Sequence, residues 1–405
     1  MRSRLTAATA VLLLAGCGAA PAASTAPPAS PAPSADSPAT GPAASATQTA
    51  SSGPVSNGAP CRPSVPAYFF GHNALTGVQF VSPLQGWVVG QHVILATADG
   101  GTTWTVQRRG DLKLVSLDFI SASTGWAVGV DSLLTTTDGG HHWSALPEPC
   151  GLIRSVHFVS PRIGYAIANG VRVAPAVGTV VPDGGASVEF TSDGGKSWQP
   201  VQAPADPQSV CFSDRQHGWL GAHGNLYETS DGGHTWRKRA SGDGKPPYFG
   251  AMVVQCASGP AWAEENGPGA ASNQQPHAGY YASPGVAAKP LFAELYFVPS
   301  ASKLPESAGA YSAAISAISA SSAAFIDNCA PCGYGGTSPW LIASADGSLS
   351  RRGDVADINF ASAASFVTSS QGWVLGLYGI GSAAQYRVVH TSDGGHSWQV
   401  QYRTG

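Results

Sequence analysis

Thr97-Ala-Asp-Gly-Gly-Thr-Thr-Trp104 is the first of five near-copies of one phrase. It returns as TTDGGHHW at 136–143, TSDGGKSW at 191–198, TSDGGHTW at 229–236 and TSDGGHSW at 391–398. Self-similarity at a spacing of a few tens of residues is the signature of a repeat architecture. Asp followed by Gly-Gly between two strands suits a hairpin turn, because the carboxylate accepts turn N–H groups and Gly supplies positive φ. Asp99, Asp138, Asp193, Asp231 and Asp393 are therefore expected to be structural, with Trp104, Trp143, Trp198, Trp236 and Trp398 folded back over their turns. His141, His234 and His396 share one slot after the Gly pair and read as a turn preference, not a dispersed metal site.

The unit is longer than the phrase. Val115-Ser-Leu-Asp-Phe-Ile120 alternates apolar and polar residues as a half-buried strand does. Gly125-Trp-Ala-Val-Gly129, Leu133-Leu-Thr-Thr136 and Trp143-Ser-Ala-Leu146 follow, giving four short strands. Val253 to Tyr281 and Ile318 to Leu341 keep this spacing without the phrase, apart from a degenerate Ser344-Ala-Asp-Gly347, so the chain holds about seven units. Four-stranded sheets that cannot bury both faces alone pack radially around a channel. The fold expected is all-β, a seven-bladed propeller, with the last blade completed by the strand near Tyr68-Phe69-Phe70 or by Trp398 to Gln401.

The phrase resembles the Asp-box, the bacterial neuraminidase repeat with the pattern Ser/Thr-x-Asp-x-Gly-x-x-Trp. With Gly-Trp-x-Val-Gly ahead of it, the unit is similar to the photosystem II assembly and stability factor family over roughly 76–402. More distantly it resembles the sialidases. The resemblance implies a propeller and leaves activity open, because fold does not fix function.

Before the repeats, Met1-Arg-Ser-Arg4 precedes an apolar run, Leu5 to Ala15, too short for a bilayer span of about 20 residues but suited to a signal peptide. It ends in Leu14-Ala-Gly-Cys17, which resembles a bacterial lipobox; lipidation of Cys17 would anchor the exported protein to the outer face of the membrane. Residues 18–60 are almost all Ala, Pro, Ser, Thr and Gly, a composition that cannot bury enough surface to offset its ordering entropy. As a coil this tether would reach roughly 35 Å, and as an extended polyproline-like chain up to ~120 Å. The expected organisation is thus 1–17 signal and lipobox, 18–60 tether, and 61–405 propeller.

Seven cysteines become six once Cys17 is set aside. An even number in an exported chain favours disulfides. Cys329-Ala-Pro-Cys332 is the local candidate pair, whereas the pairing of Cys61, Cys150, Cys211 and Cys256 stays open. No second ligand pair is spaced for zinc, so neither metal nor cofactor is expected. A formal net charge of −3 gives no electrostatic footprint for nucleic acid.

Long connections between second and third strands fall in the third unit (Asn169 to Ser187), fifth (Glu264 to Gly279), sixth (Asn328 to Pro339) and seventh (Leu377 to Gln385). In a propeller these lie on the rim opposite the boxes, and insertions gathered on one face mark a binding surface. Glu264, Asn266, Tyr280, Tyr281, Tyr334, Trp340, Tyr378, Tyr386 and Arg387 are the candidates there, since aromatic faces with acidic and amide groups recognise peptides and sugars. The function expected is a noncatalytic, surface-anchored, monomeric propeller that binds an envelope protein or glycan, as an assembly or scaffold factor. A sialidase-like glycoside hydrolase is the alternative. It would need an arginine cluster for the substrate carboxylate. The string nearest the family's Arg-Ile-Pro is Arg162-Ile-Gly164. Glu264 and Glu265 cannot form an acid/base pair, because adjacent strand residues face opposite ways.

Overall fold

The computed structural model describes residues 74–405 apart from 130–131, 148–151, 170, 174–179, 183–185, 242–250, 267–276, 294–303, 310, 329–335 and 380. Cys17, the 18–60 tether, Cys61, Tyr68 to Phe70, Cys150, Cys329, Cys332 and Tyr334 lie outside the described residues.

Seven antiparallel four-stranded sheets follow one another along the chain. Blade 1 holds β1–β4 (Leu75–Phe80, Gly86–Gly90, Val93–Thr97, Thr105–Arg109) and blade 2 holds β5–β8 (Leu114–Phe119, Gly125–Gly129, Leu133–Thr136, Ser144–Leu146). Blade 3 is β9 (Leu152–Phe158), β10 (Gly164–Asn169), β13 (Ser187–Thr191) and β14 (Gln199–Val201), with the β11–β12 hairpin (Val171–Val173, Val180–Pro182) inserted between β10 and β13. Blade 4 is β15–β18 (Pro207–Phe212, Gly218–Ala222, Asn225–Thr229, Arg237–Ser241). Blade 5 is β19–β22 (Ala251–Cys256, Ala261–Asn266, His277–Ala282, Lys289–Ala293). Blade 6 is β23–β26 (Tyr311–Ser319, Ser322–Asn328, Pro339–Ser344, Leu349–Asp354), and blade 7 is β27–β30 (Phe360–Phe366, Gly372–Tyr378, Gln385–Thr391, Gln399–Arg403).

The last blade is completed by Gln399–Arg403, the second of the two strands the sequence offered. Apart from the hairpin inserted in blade 3, every blade is therefore built from consecutive strands, and the ring closes by packing blade 7 on blade 1. Phe80 of blade 1 stacks on Trp373 of blade 7 with centroids 3.5 Å apart.

That stack recurs around the ring. Phe119 lies flat on Trp87, Phe158 on Trp126 and Phe212 on Tyr165, each at 3.5 Å, so a first-strand ring of one blade covers the second-strand ring of the blade before it. The box Trp of the same blade then meets the Phe edge-on: Trp104 on Phe80 at 6.0 Å, Trp143 on Phe119 at 5.9 Å, and Trp198 and Trp236 on Phe158 and Phe212 at 6.1 Å. Offset and edge-to-face pairs add to the area they bury.

The glycine of each Gly-Trp pair makes room for this sandwich. A Cβ on Gly125 would stand 2.4 Å from the Phe119 ring, and Gly86, Gly164, Gly218 and Gly372 are crowded in the same way by Phe80, Phe158, Phe212 and Phe366. Where blade 5 has Cys256 in place of the Phe and blade 6 has Ala317, the facing glycine becomes Ala261 and Ala323.

Two sets of polar contacts fasten the blades at their joints. Second-strand aromatics donate to a carbonyl of the next blade: Trp87 Nε1 to Gly139, Trp126 to Gly194, Tyr165 Oη to Arg215, Trp219 to Gly259, Trp262 to Ser319 and Trp373 to Gly100, all at 2.8–3.1 Å. Nearer the channel, the residue before each Phe slot reaches the next first strand. Gln79 Oε1 accepts Phe119 N–H at 2.7 Å, Asp118 Oδ2 accepts Phe158 N–H at 2.6 Å, and His157 Nε2 donates to Phe212 O at 2.7 Å. Gln255 Oε1, Ser316 Oγ and Ser365 Oγ take the N–H groups of Ala317, Phe366 and Phe80. At the joint of blades 4 and 5 the slot holds Cys211, which is disulfide-bonded to Cys256 with Cα atoms 5.6 Å apart.

Replacing Gly125 by Ala should cost about 1–3 kcal/mol by overpacking, because Phe119 is pinned from behind by Trp87. Urea denaturation reads this directly. An unchanged midpoint would mean that the ring is free to give way.

Candidate functional site

The strand order sets two unlike rims. Connections from first to second and from third to fourth strands leave one end of each sheet, and second-to-third connections leave the other. The Asp-boxes lie on the first rim, the four long connections on the second.

On the box rim, side-chain oxygens hold the turn closed. Thr97 Oγ1 accepts Gly101 N–H and donates to Asp99 Oδ1, both at 2.8 Å. Asp99 Oδ1 then takes the N–H of Thr103 at 2.8 Å, and Oδ2 its hydroxyl at 2.6 Å. Asp193, Asp231 and Asp393 repeat the arrangement, and in the second box the His142 ring replaces the hydroxyl on Asp138. The paired glycines have left-handed backbones, with φ of 76° and 94° at Gly100 and Gly101. Both oxygens of each carboxylate are engaged within its own turn. A cavity of about 540 Å³ also opens on this rim between blades 3 and 4, beside Tyr165, Arg215, Asp231 and His234. Tyr165 and Asp231 are already committed there to a blade joint and a box. Arg162, the arginine of the sialidase-like string, lies on the box rim too, with Nε donating to Ser192 O at 3.3 Å.

The opposite rim carries the groups with chemistry to spare, in blades 5 to 7. Tyr378 ends β28 and is 38 % exposed. The Arg387 guanidinium lies 3.6 Å above its ring and donates to Asp357 Oδ1 at 2.7 Å, so ring, cation and carboxylate are held as one cluster. Tyr386, beside them, packs on the core between blades 7 and 1. In blade 5, Asn266 pairs with His277 in the ladder at the rim end of the sheet, and Tyr280 and Tyr281 are half-buried along β21, Tyr281 against Trp262.

Two candidates are inside the protein. Trp340 is fully buried and packs on Phe366 and Trp398. It enters from the third strand because blade 6 has Ala324 where other second strands carry an aromatic ring, and its Nε1 has no hydrogen-bond partner. Glu264 is only 1 % exposed. It meets His277 on the neighbouring strand β21 of its own blade and, across the joint, Asp327 of β24: ligand atoms of the three side chains lie within 4.8 Å of one another, with His277 Nε2 3.7 Å from Asp327 Oδ2.

Burial raises the Glu264 carboxyl to about 8, helped by the Asp327 charge and opposed by His277 and the nearby Ser312 hydroxyl. Neither Glu264 oxygen accepts a hydrogen bond of good geometry, and Asp327 Oδ1 likewise has none, although Oδ2 takes the Gly309 N–H at 2.8 Å. His277 and Asp327 were absent from the sequence candidates. An Asp closing the otherwise apolar run Ala323-Ala-Phe-Ile326 was the available signal.

Comparison with known proteins agrees with this architecture. The profile of the photosynthesis system II assembly factor YCF48 family matches residues 71–152. A solved structure of YCF48 bound to a D1 peptide is 19 % identical, with a TM-score of 0.51, over 79 % of this chain and 91 % of that one. An ancestral GH74 enzyme is 14 % identical with a TM-score of 0.53, over 82 % of this chain and 47 % of the enzyme. No curated protein matches. The chain is a propeller of the neuraminidase-repeat type that resembles YCF48.

The box carboxylates imply a specific acid response. Asp99, Asp193 and Asp231 are held down to about 2, first by the side-chain hydroxyl and then by the backbone N–H that they accept; Asp138 and Asp393 lie lower still. Because the folded values are depressed, their stabilisation is complete above the unfolded value near 4 and is lost as pH falls toward 2. Thermal midpoints should hold down to about pH 4 and then drop, and Asp231→Asn should flatten that drop. A wild-type curve flat from pH 4 to 2 would contradict the box assignment.

Proposed function

We propose that this chain is a noncatalytic propeller that binds a protein of the cell envelope with its insertion rim, held at the outer membrane face by a lipid on Cys17 and serving as an assembly or scaffold factor. The observation that carries the reading is the placement of the long connections: all four leave the rim opposite the boxes, three of them from consecutive blades. Tyr378, exposed and with the half-buried Arg387 guanidinium over its ring, adds an aromatic and cationic element at the same rim. A related precedent supports a protein ligand, since the YCF48 structure holds a D1 peptide. The anchor and tether rest on the sequence alone, on Leu14-Ala-Gly-Cys17 and the Ala/Pro/Ser-rich 18–60 segment.

The test is affinity capture from envelope extract with the full chain. Tyr378→Ala combined with Arg387→Ala should reduce recovery of its partner roughly tenfold or more, as loss of a central aromatic and arginine contact does. His234→Ala on the box rim should leave recovery unchanged, and Cys17→Ser should move the bait from the membrane to the soluble fraction. Partner loss with His234→Ala alone, or membrane retention of Cys17→Ser, would overturn the corresponding half of the proposal.

A further inference from the structure

We propose that Glu264, His277 and Asp327 form a binding site for one divalent transition-metal ion of the zinc type, which ties blade 5 to blade 6 just beneath the insertion rim. Each donor is placed by strand geometry. Glu264 is on β20, where Ala263 and Glu265 flank it facing the other way, and His277 opens β21 two ladder positions nearer the rim. Asp327 is the penultimate residue of β24. Its neighbour Asn328 turns to the other side and bonds Ala361 of blade 7, Nδ2 to O at 3.1 Å and Oδ1 from N–H at 2.9 Å. Alternation along a strand thus gives one side chain to each joint.

The joint of blades 6 and 7 is closed there by a neutral amide with both ends satisfied. The joint of blades 5 and 6 instead brings two carboxylates and an imidazole together at 0–2 % exposure. Burying two carboxylates against each other is strongly unfavourable unless a cation or a proton intervenes. Hydrogen bonds of good geometry that would otherwise satisfy them are missing from both Glu264 oxygens and from Asp327 Oδ1, with the Ser312 hydroxyl near Glu264.

The geometry fits an ion. Ligands about 2.0–2.2 Å from a metal stand at most roughly 4 Å apart, and the observed separations of 3.7 Å and up to 4.8 Å reach that range with rotamer adjustments of under about 1 Å. Two carboxylates neutralise a dication, and one imidazole with two carboxylates is a borderline donor set that favours zinc or manganese over calcium. The site would be structural, because its three donors are buried between two blades.

Metal analysis of the full-length protein, purified without chelator, tests the proposal. About one equivalent of a transition metal per chain is expected. Chelation should lower the thermal midpoint, and saturating Zn²⁺ or Mn²⁺ should restore it by roughly 3–5 °C. Glu264→Gln and Asp327→Asn should abolish both the stoichiometry and the shift. Should either variant fail to fold, the wild-type content and its chelator response decide alone. A folded wild-type protein with no bound metal and no Zn²⁺- or Mn²⁺-dependent shift would overturn the site, and a Glu264→Gln variant more stable than it would identify the group as a protonated carboxyl.

Discussion

At five of its seven joints this ring depends on a first-strand phenylalanine held between two aromatic rings that belong to different blades. The second-strand ring of the preceding blade lies behind it, and the box ring of its own blade meets its edge. This contact sets the inter-blade spacing, requires glycine opposite the Phe, and brings the indole N–H within reach of the neighbouring turn. Since no strand is exchanged to close the ring, the same side-chain contact must also join blade 7 to blade 1, and Phe80 on Trp373 does so.

The departures from this rule show how the joints are made when the sandwich is missing. Blade 5 lacks the Phe, and Cys256 in that slot is bonded to Cys211 of blade 4. Blade 6 lacks both the Phe and the second-strand aromatic; Trp340 fills the space from the third strand but leaves its N–H without a partner. The buried Glu264, His277 and Asp327 group lies between these two irregular blades, where Phe325 of blade 6 meets Trp262 and Phe292 of blade 5 edge-on in place of the stacked sandwich.

The repeat was legible because its interactions are local. The donors and acceptors of a box lie within seven residues of one another, so Thr97 to Thr103 could be read as a closed turn from sequence. Blade count and rim assignment followed from spacing. Contacts that cross a joint were not legible. The Cys211–Cys256 pairing, the inward route of Trp340 and the meeting of Glu264 with Asp327 all depend on which face a strand residue presents to the next blade. Trp340 and Glu264 were read as surface groups because they adjoin long connections. Strand register carries both inward instead, leaving Tyr378, with the Arg387 guanidinium over its ring, as the exposed aromatic at that rim.

In the proposed function the rim of lengthened connections is the one that recognises a partner, since the box carboxylates on the other are engaged within their own turns. The measurement that addresses this most directly is photo-crosslinking in intact cells, with a photoreactive amino acid placed at Tyr378 and, in a second strain, at His234. The account predicts a discrete protein adduct from Tyr378 and none from His234. An adduct from the box rim alone would contradict it.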